Sequence, residues 1–172
     1  LGYLKYDYCL LTNLKSDHLD YHGNISNYHN SKLNIINNHY KKNSKILIQD
    51  KIENKKLEKI QNKIILQDDL IQKYKFDIIQ KYKHFEITSN YRTYKIRTFN
   101  NFVIKNTISI ILLYFSILKK WPKIFTNKIY AKGRAEIVHE EKNVIIMVDY
   151  AHSADAFENL LTSIPNYYKN KI

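Results

Sequence analysis

Three short stretches hold most of the residues able to do chemistry. The first runs Thr12-Asn13-Leu14-Lys15-Ser16-Asp17-His18-Leu19-Asp20-Tyr21-His22-Gly23, where Asp17 and His18 offer a carboxylate and an imidazole side by side. Such a pair can ligate a cation, although Asp and His are also ordinary turn residues. The second is Lys32, which recurs with Tyr28, Ile35 and Ile36 at helical spacing and so falls on an inward stripe. Burial penalises an ammonium and favours the neutral amine, which is free for chemistry; the alternative is a side chain that snorkels to water. The third covers residues 144–156, where an apolar run ends at Asp149 and a helix follows. An acidic residue at a strand end accepts hydrogen bonds from ribose hydroxyls, and it serves equally well as a helix cap.

Each stretch needs elements to position it. Residues 8–12 form an apolar run closing on Asn13, which predicts a buried strand with the Asp-His turn at its end. Ser26 is the expected cap of the helix carrying Lys32, with Ile25 at the staple position. Residues 45–49 read as a second strand. Residues 51–83 predict one or two amphipathic helices and a strand at 64–66. Residues 85–99 read as a hairpin turning at Ser89-Asn90. Residues 106–118 predict a helix buried against a sheet and ended by Pro122. Its apolar part, 107–118, is shorter than the about 20 residues that cross a bilayer. Residues 144–148 predict a strand covered on both faces, and Ser153 or Asp155 starts a helix over 156–163. Strands alternating with helices give the α/β class.

Composition narrows the functions. In 172 residues there are 28 Lys and Arg against 16 Asp and Glu, a net charge of +12. The basic residues are spread along the chain with Asn, Ile and Tyr, whereas a phosphate-backbone reader gathers them into a stripe; no specific nucleic acid is expected as a partner. Three glycines, Gly2, Gly23 and Gly133, stand far apart, so these residues contain no Gly-rich phosphate loop. One cysteine, Cys9, excludes a disulfide framework and a multi-thiolate zinc site. The chain opens at Leu1 with no basic-then-apolar leader, so no signal peptide is expected, and it reads as an internal piece.

Taken together, TNLKSDHLDYHG with YHNSK, then GRAE and VIIMVDYAHSADAFENL, resemble the Mur ligase family in order and spacing. The wording is most similar to the branch that adds the third residue to UDP-N-acetylmuramoyl-L-alanyl-D-glutamate. The resemblance implies an α/β fold made of two parts. Residues 1–125 correspond to the second half of a central ATPase domain, an open, mostly parallel sheet with helices. Residues 126–132 are a linker, and 133–172 hold the first strand and helix of a Rossmann-like C-terminal domain. It also implies roles: His18 as a metal-binding histidine, Lys32 as a carbamylated lysine holding Mg²⁺, Asn106 against adenine, Arg134 reaching the nucleotide and Asp149 on the ribose.

The implied activity is ATP-driven amide formation through an acyl phosphate, with ATP and Mg²⁺ as cofactors. UDP-MurNAc-dipeptide and an amino acid would be partners of a complete, monomeric, cytoplasmic enzyme without membrane association. The chain alone is expected to be inactive. Departures from the family pattern are Asn100 in place of glycine, Val103 in place of asparagine and Ala154 in place of proline, with a short stretch between Asp50 and Phe85. The competing readings are a non-catalytic remnant of such a ligase and a small basic nucleic-acid-binding protein. The third amino acid, diaminopimelate or lysine, is not legible in these residues.

Overall fold

A computed structural model describes residues 4–14, 19–49, 52, 57, 60, 64–81, 84–98, 100–123, 132–141 and 144–164. The chain divides into two compact units, Leu1–Lys73 and Tyr74–Ile172. The expected linker at 126–132 lies outside the described residues except for Lys132.

The first unit runs β1 (Tyr6–Leu11), a single helical turn α1 (Leu19–His22), α2 (Ile25–Asn38), β2 (Tyr40–Ile48), β3 (Ile64–Leu66) and α3 (Gln67–Lys73). Its strands form one parallel sheet in the order β1-β2-β3, with Leu10 opposite Leu47 and Leu47 opposite Ile65. Parallel neighbours need a crossover, and α2 supplies it between β1 and β2. Leu33 and Ile36 of α2 are buried with Leu11, Ile46, Ile48, Leu57 and Ile60 in one core. Burying a side chain of that size is worth about 1.5–3 kcal/mol, so this stripe outweighs any one polar contact around it. The Tyr6 hydroxyl adds a tether by donating to the Ile36 carbonyl at 2.8 Å.

Two local expectations for α2 are corrected. Its cap is Asn24, whose side chain accepts from the Asn27 amide at 2.8 Å, and Ser26 already lies inside the helix. Ile35 is exposed, and the inward stripe is Tyr28, Leu33 and Ile36. Gly23, at φ 75°, makes the left-handed link between α1 and that cap, a conformation that costs glycine nothing.

The second unit begins with an antiparallel sheet, β4 (Asp77–Gln80), β5 (Phe85–Thr88) and β6 (Thr93–Ile96), in the order β4-β5-β6. The expected hairpin is β5–β6, turned by Ser89, whose Oγ accepts from the Tyr91 and Arg92 amides. β4 is a strand where a solvated helix was expected; it is an edge strand with both isoleucines, Ile78 and Ile79, exposed. Next comes α4 (Asn101–Leu118), five residues longer at its start than expected. Asn100 caps it, accepting from the Phe102 amide at 2.8 Å. Buried Thr107 and Ser109 satisfy their hydroxyls on the Val103 and Lys105 carbonyls one turn back.

By length and composition α4 is long and apolar enough to cross a membrane. One face of it is packed, with Ile104, Ile108, Ile111 and Leu112 buried, while Ile110, Tyr114, Ile117 and Leu118 are exposed. It stops at Lys119, which takes the left-handed conformation at φ 56° ahead of Pro122. Beyond it, Trp121 lies between the rings of Phe115 and Tyr91, 4.2 and 5.3 Å away and nearly parallel to both. The Tyr94 hydroxyl donates to the Pro122 carbonyl at 3.2 Å.

The unit closes with the antiparallel ribbon β7 (Glu136–Glu141) and β8 (Val144–Val148), then α5 (Ala154–Ser163), capped by Ser153. The expectation that 144–148 is covered on both faces is corrected: Val144, Ile146 and Val148 are 57%, 50% and 46% exposed. A two-stranded ribbon has no second layer to bury them. Among the described residues β8 pairs with β7 and with no strand of the first unit.

Two outcomes follow from these tethers and caps. Burial, together with Cys9 and Tyr40, raises the Tyr6 phenol well above its ordinary value. The unfolded chain therefore releases this proton first, and the stabilisation is full below about pH 10 and declines as pH rises above it. Tyr6→Phe should lower stability by about 1 kcal/mol at neutral pH and flatten the alkaline fall in denaturant titrations; an unchanged alkaline slope would contradict this. Asn100→Ala should cost about 1 kcal/mol in the same assay, with Asn100→Asp retaining most of it.

Candidate functional site

Lys32 sits in the third turn of α2, half-buried, on the side that faces the carboxyl end of β1. Its Nζ donates to the Asn13 carbonyl at 3.4 Å, just past that strand end. The same ammonium lies 4.5 Å from the centre of the Tyr28 ring, one turn back. Tyr28 is itself buried and in ring contact with His22, so the ring that holds the lysine is fixed by the core. The lysine thus neither points into apolar core nor snorkels free. One turn earlier, His29 Nε2 is buried with no hydrogen-bond partner among the described residues.

His18 and Asp17 lie outside the described residues. Among the described residues no group of three His, Cys, Asp or Glu side chains converges. The test of Mg²⁺ therefore rests on donor chemistry. Magnesium takes hard oxygen donors. An ammonium offers none, whereas a carbamate at Nζ would place anionic oxygen beside the Asn13 carbonyl, which is itself such a donor. The residues present fit a magnesium site on that condition.

Arg134 and Asp149, fifteen residues apart in sequence, are linked through the backbone, because Asp149 accepts from the amide of Ala135, the residue after Arg134. Gly133 and Ala135 both take positive φ, 69° and 48°, so the chain bends sharply on each side of Arg134. Alanine in that conformation is strained, and two carboxylates hold it there. Glu136 Oε2 accepts from the Gly133 amide at 2.7 Å, and Asp149 Oδ2 accepts from the Ala135 amide at 2.6 Å. One oxygen of Asp149 is thereby committed to the backbone, and among the described residues Oδ1 carries no hydrogen bond. Arg134 is exposed, with its guanidinium 4.9 Å from the centre of the Tyr150 ring.

Asn106 belongs to a third place, the exposed face of α4. Asn100, standing where the family pattern has glycine, adopts φ −88°, ψ 117°, a conformation open to any residue, and its side chain serves as the α4 cap. The structure therefore brings Asp149 to the backbone turn that carries Arg134, keeps Asn106 on a separate element of the same unit, and carries Lys32 in the other unit. The sequence places Tyr28 on the helical stripe of Lys32 and Tyr150 in the segment after the strand, but gives neither a role at the site. The signal for Tyr28 was its i, i+4 spacing to Lys32; no local pattern announced Tyr150 as a partner of Arg134.

Comparison with known proteins bears on the whole set. The Mur ligase middle domain matches residues 1–114, two-thirds of the chain, which includes Lys32 and Asn106 and stops before Arg134. Relatives named "UDP-N-acetylmuramoyl-L-alanyl-D-glutamate--2,6-diaminopimelate ligase" align over nearly all of it. The protein of Listeria monocytogenes is 27% identical over 97% of the chain and 37% of its own length. That of Aquifex aeolicus is 30% identical over 98% of the chain and 36% of its own length. That of Clostridium botulinum is 31% identical over 95% and 36%. The chain thus spans little more than a third of the relatives it matches, and by the middle-domain match across β1 to α4 it belongs to the Mur ligase family.

Proposed function

We propose that this chain forms part of an ATP-dependent ligase of peptidoglycan-precursor synthesis, adding the third amino acid to UDP-MurNAc-L-Ala-D-Glu. The observation that carries the reading is the position of Lys32, held at the carboxyl end of β1, where open α/β sheets place their ligands. The names of the relatives support 2,6-diaminopimelate as the amino acid. Monomeric, cytoplasmic action of the complete enzyme belongs to the same proposal.

In this reading the substrate carboxylate attacks the terminal phosphorus of ATP, and ADP leaves. The incoming amine then displaces inorganic phosphate from the acyl phosphate and loses a proton. His18 and the Lys32 carbamate would hold Mg²⁺, which supplies charge neutralisation for the transferring phosphoryl group. The chain's own residues bind and orient. Asp149 Oδ1 accepts from a ribose hydroxyl while Oδ2 keeps the Ala135 amide, so ribose recognition and the bend at Arg134 share one carboxylate. Arg134 presents a forked cation suited to phosphate oxygens. Asn106, on the exposed face of α4, offers an amide that can both donate to and accept from adenine.

The division into a central part at 1–125, a linker at 126–132 and a second part at 133–172 is part of the proposal. It is supported by the middle-domain match ending at residue 114, whereas the compact units of the structure divide between Lys73 and Tyr74. A catalytically silent remnant is the second reading, favoured by Asn100 and Val103 at positions where the family pattern differs.

In a complete ligase carrying this segment, Lys32→Ala should reduce turnover at least a hundredfold, on the order of 2.7 kcal/mol in the barrier. A small added carboxylate should restore part of it by filling the vacated oxygen site; undiminished turnover would reduce Lys32 to a surface lysine. The 172-residue chain with Mg²⁺-ATP and UDP-MurNAc-dipeptide should release no phosphate above a blank, because its three dispersed glycines form no phosphate cradle. Phosphate release that disappears in Lys32→Ala would refute that expectation.

A further inference from the structure

The bend at Arg134 is fixed in its backbone and open in its side chain. Two carboxylates hold the amides on either side of the residue. The guanidinium itself stands on an exposed arginine with four rotatable side-chain bonds. The contact that restrains it is the face of Tyr150, 4.9 Å from Cζ to the ring centre. Tyr150 is 64% exposed, so burial does not fix its ring. It is nonetheless held in orientation. The His152 ring meets it edge-on at 5.1 Å, and His152 Nδ1 lies 2.9 Å from the Tyr150 carbonyl. Tyr150 also follows Asp149 directly, so the carboxylate that secures the bend and the ring that receives the arginine move as one piece of chain.

We propose that Tyr150 is the positioning residue of Arg134: its ring face holds the guanidinium over the residue that follows Asp149, so that a triphosphate whose ribose lies on Asp149 meets a cation already in place. This rests on the reading of Asp149 and Arg134 as nucleotide-binding residues. The ring contributes no hydrogen bond to the ligand. Its effect is to reduce the freedom that Arg134 must lose when it engages phosphate. A π face is what the cation needs, so phenylalanine serves in place of tyrosine and leucine does not.

The test uses the full chain labelled at arginine, with the Arg134 signals assigned by their loss in Arg134→Lys. In the unmodified protein and in Tyr150→Phe, the Arg134 side-chain protons should be shifted upfield by the ring current. In Tyr150→Leu they should return to the position of a free arginine. ATP and adenosine are then titrated into each variant. Tyr150→Leu should weaken ATP binding about two- to fivefold, with adenosine unchanged and Tyr150→Phe near the unmodified protein. Arg134 signals that ignore Tyr150→Leu, or a lost shift with ATP affinity unaltered, overturn the proposal and leave the nucleotide reading standing. Equal affinity of the unmodified chain for ATP and adenosine, or no affinity for either, overturns the nucleotide reading of Arg134 and the proposal with it.

Discussion

Parallel pairing of β1 with β2 obliges the chain to travel back along the sheet before the second strand can begin. In this protein α2 makes that journey, and the rest of the first unit depends on how it lies on the sheet. Leu33 and Ile36 settle its rotation by entering the core with Ile46 and Ile48. The Tyr6 hydroxyl on the Ile36 carbonyl limits its slide along β1. Once those two freedoms are gone, Lys32 has little choice of place: its ammonium arrives at the end of β1, over Tyr28 and beside the Asn13 carbonyl. The chemistry proposed for this lysine is thus a by-product of hydrophobic packing one residue further along the helix.

The second unit reaches its functional turn by polar means. Gly133 and Ala135 in left-handed conformations would not persist on alanine's own preferences, and two carboxylates make up the difference. An ion pair between Arg97 and Glu140 adds a link from the end of β6 to β7. A pair with its arginine half exposed stabilises little, and this one anchors the far end of β7.

Much of the architecture was legible because it obeys simple periodicities. β3, the β5–β6 hairpin and α5 follow from apolar runs, a Ser-Asn turn and a serine cap. Where the reading missed, a polar residue did structural work under an ordinary appearance. Asn24 and Asn100 cap their helices, so α2 and α4 start earlier than their apolar stripes suggest. β7, written Glu-Ile-Val-His-Glu-Glu, carries too many charges to look like a strand and exists because β8 pairs with it. Lys32 was legible from helical spacing, and Arg134 and Asp149 from a family resemblance. The backbone link between those two was not, because it depends on an alanine at positive φ, a conformation that propensity reasoning assigns to glycine.

The ring stack at the end of α4 has a practical consequence. Trp121 is the only tryptophan in the chain, and it belongs wholly to the second unit, enclosed by Phe115 and Tyr91. Tyrosines, by contrast, occur in both units. Light absorbed by indole therefore reports on the second unit alone, and the far-ultraviolet signal reports on both. Any difference between the two signals on heating separates the melting of the antiparallel half from that of the parallel half, without a label or a cut in the chain.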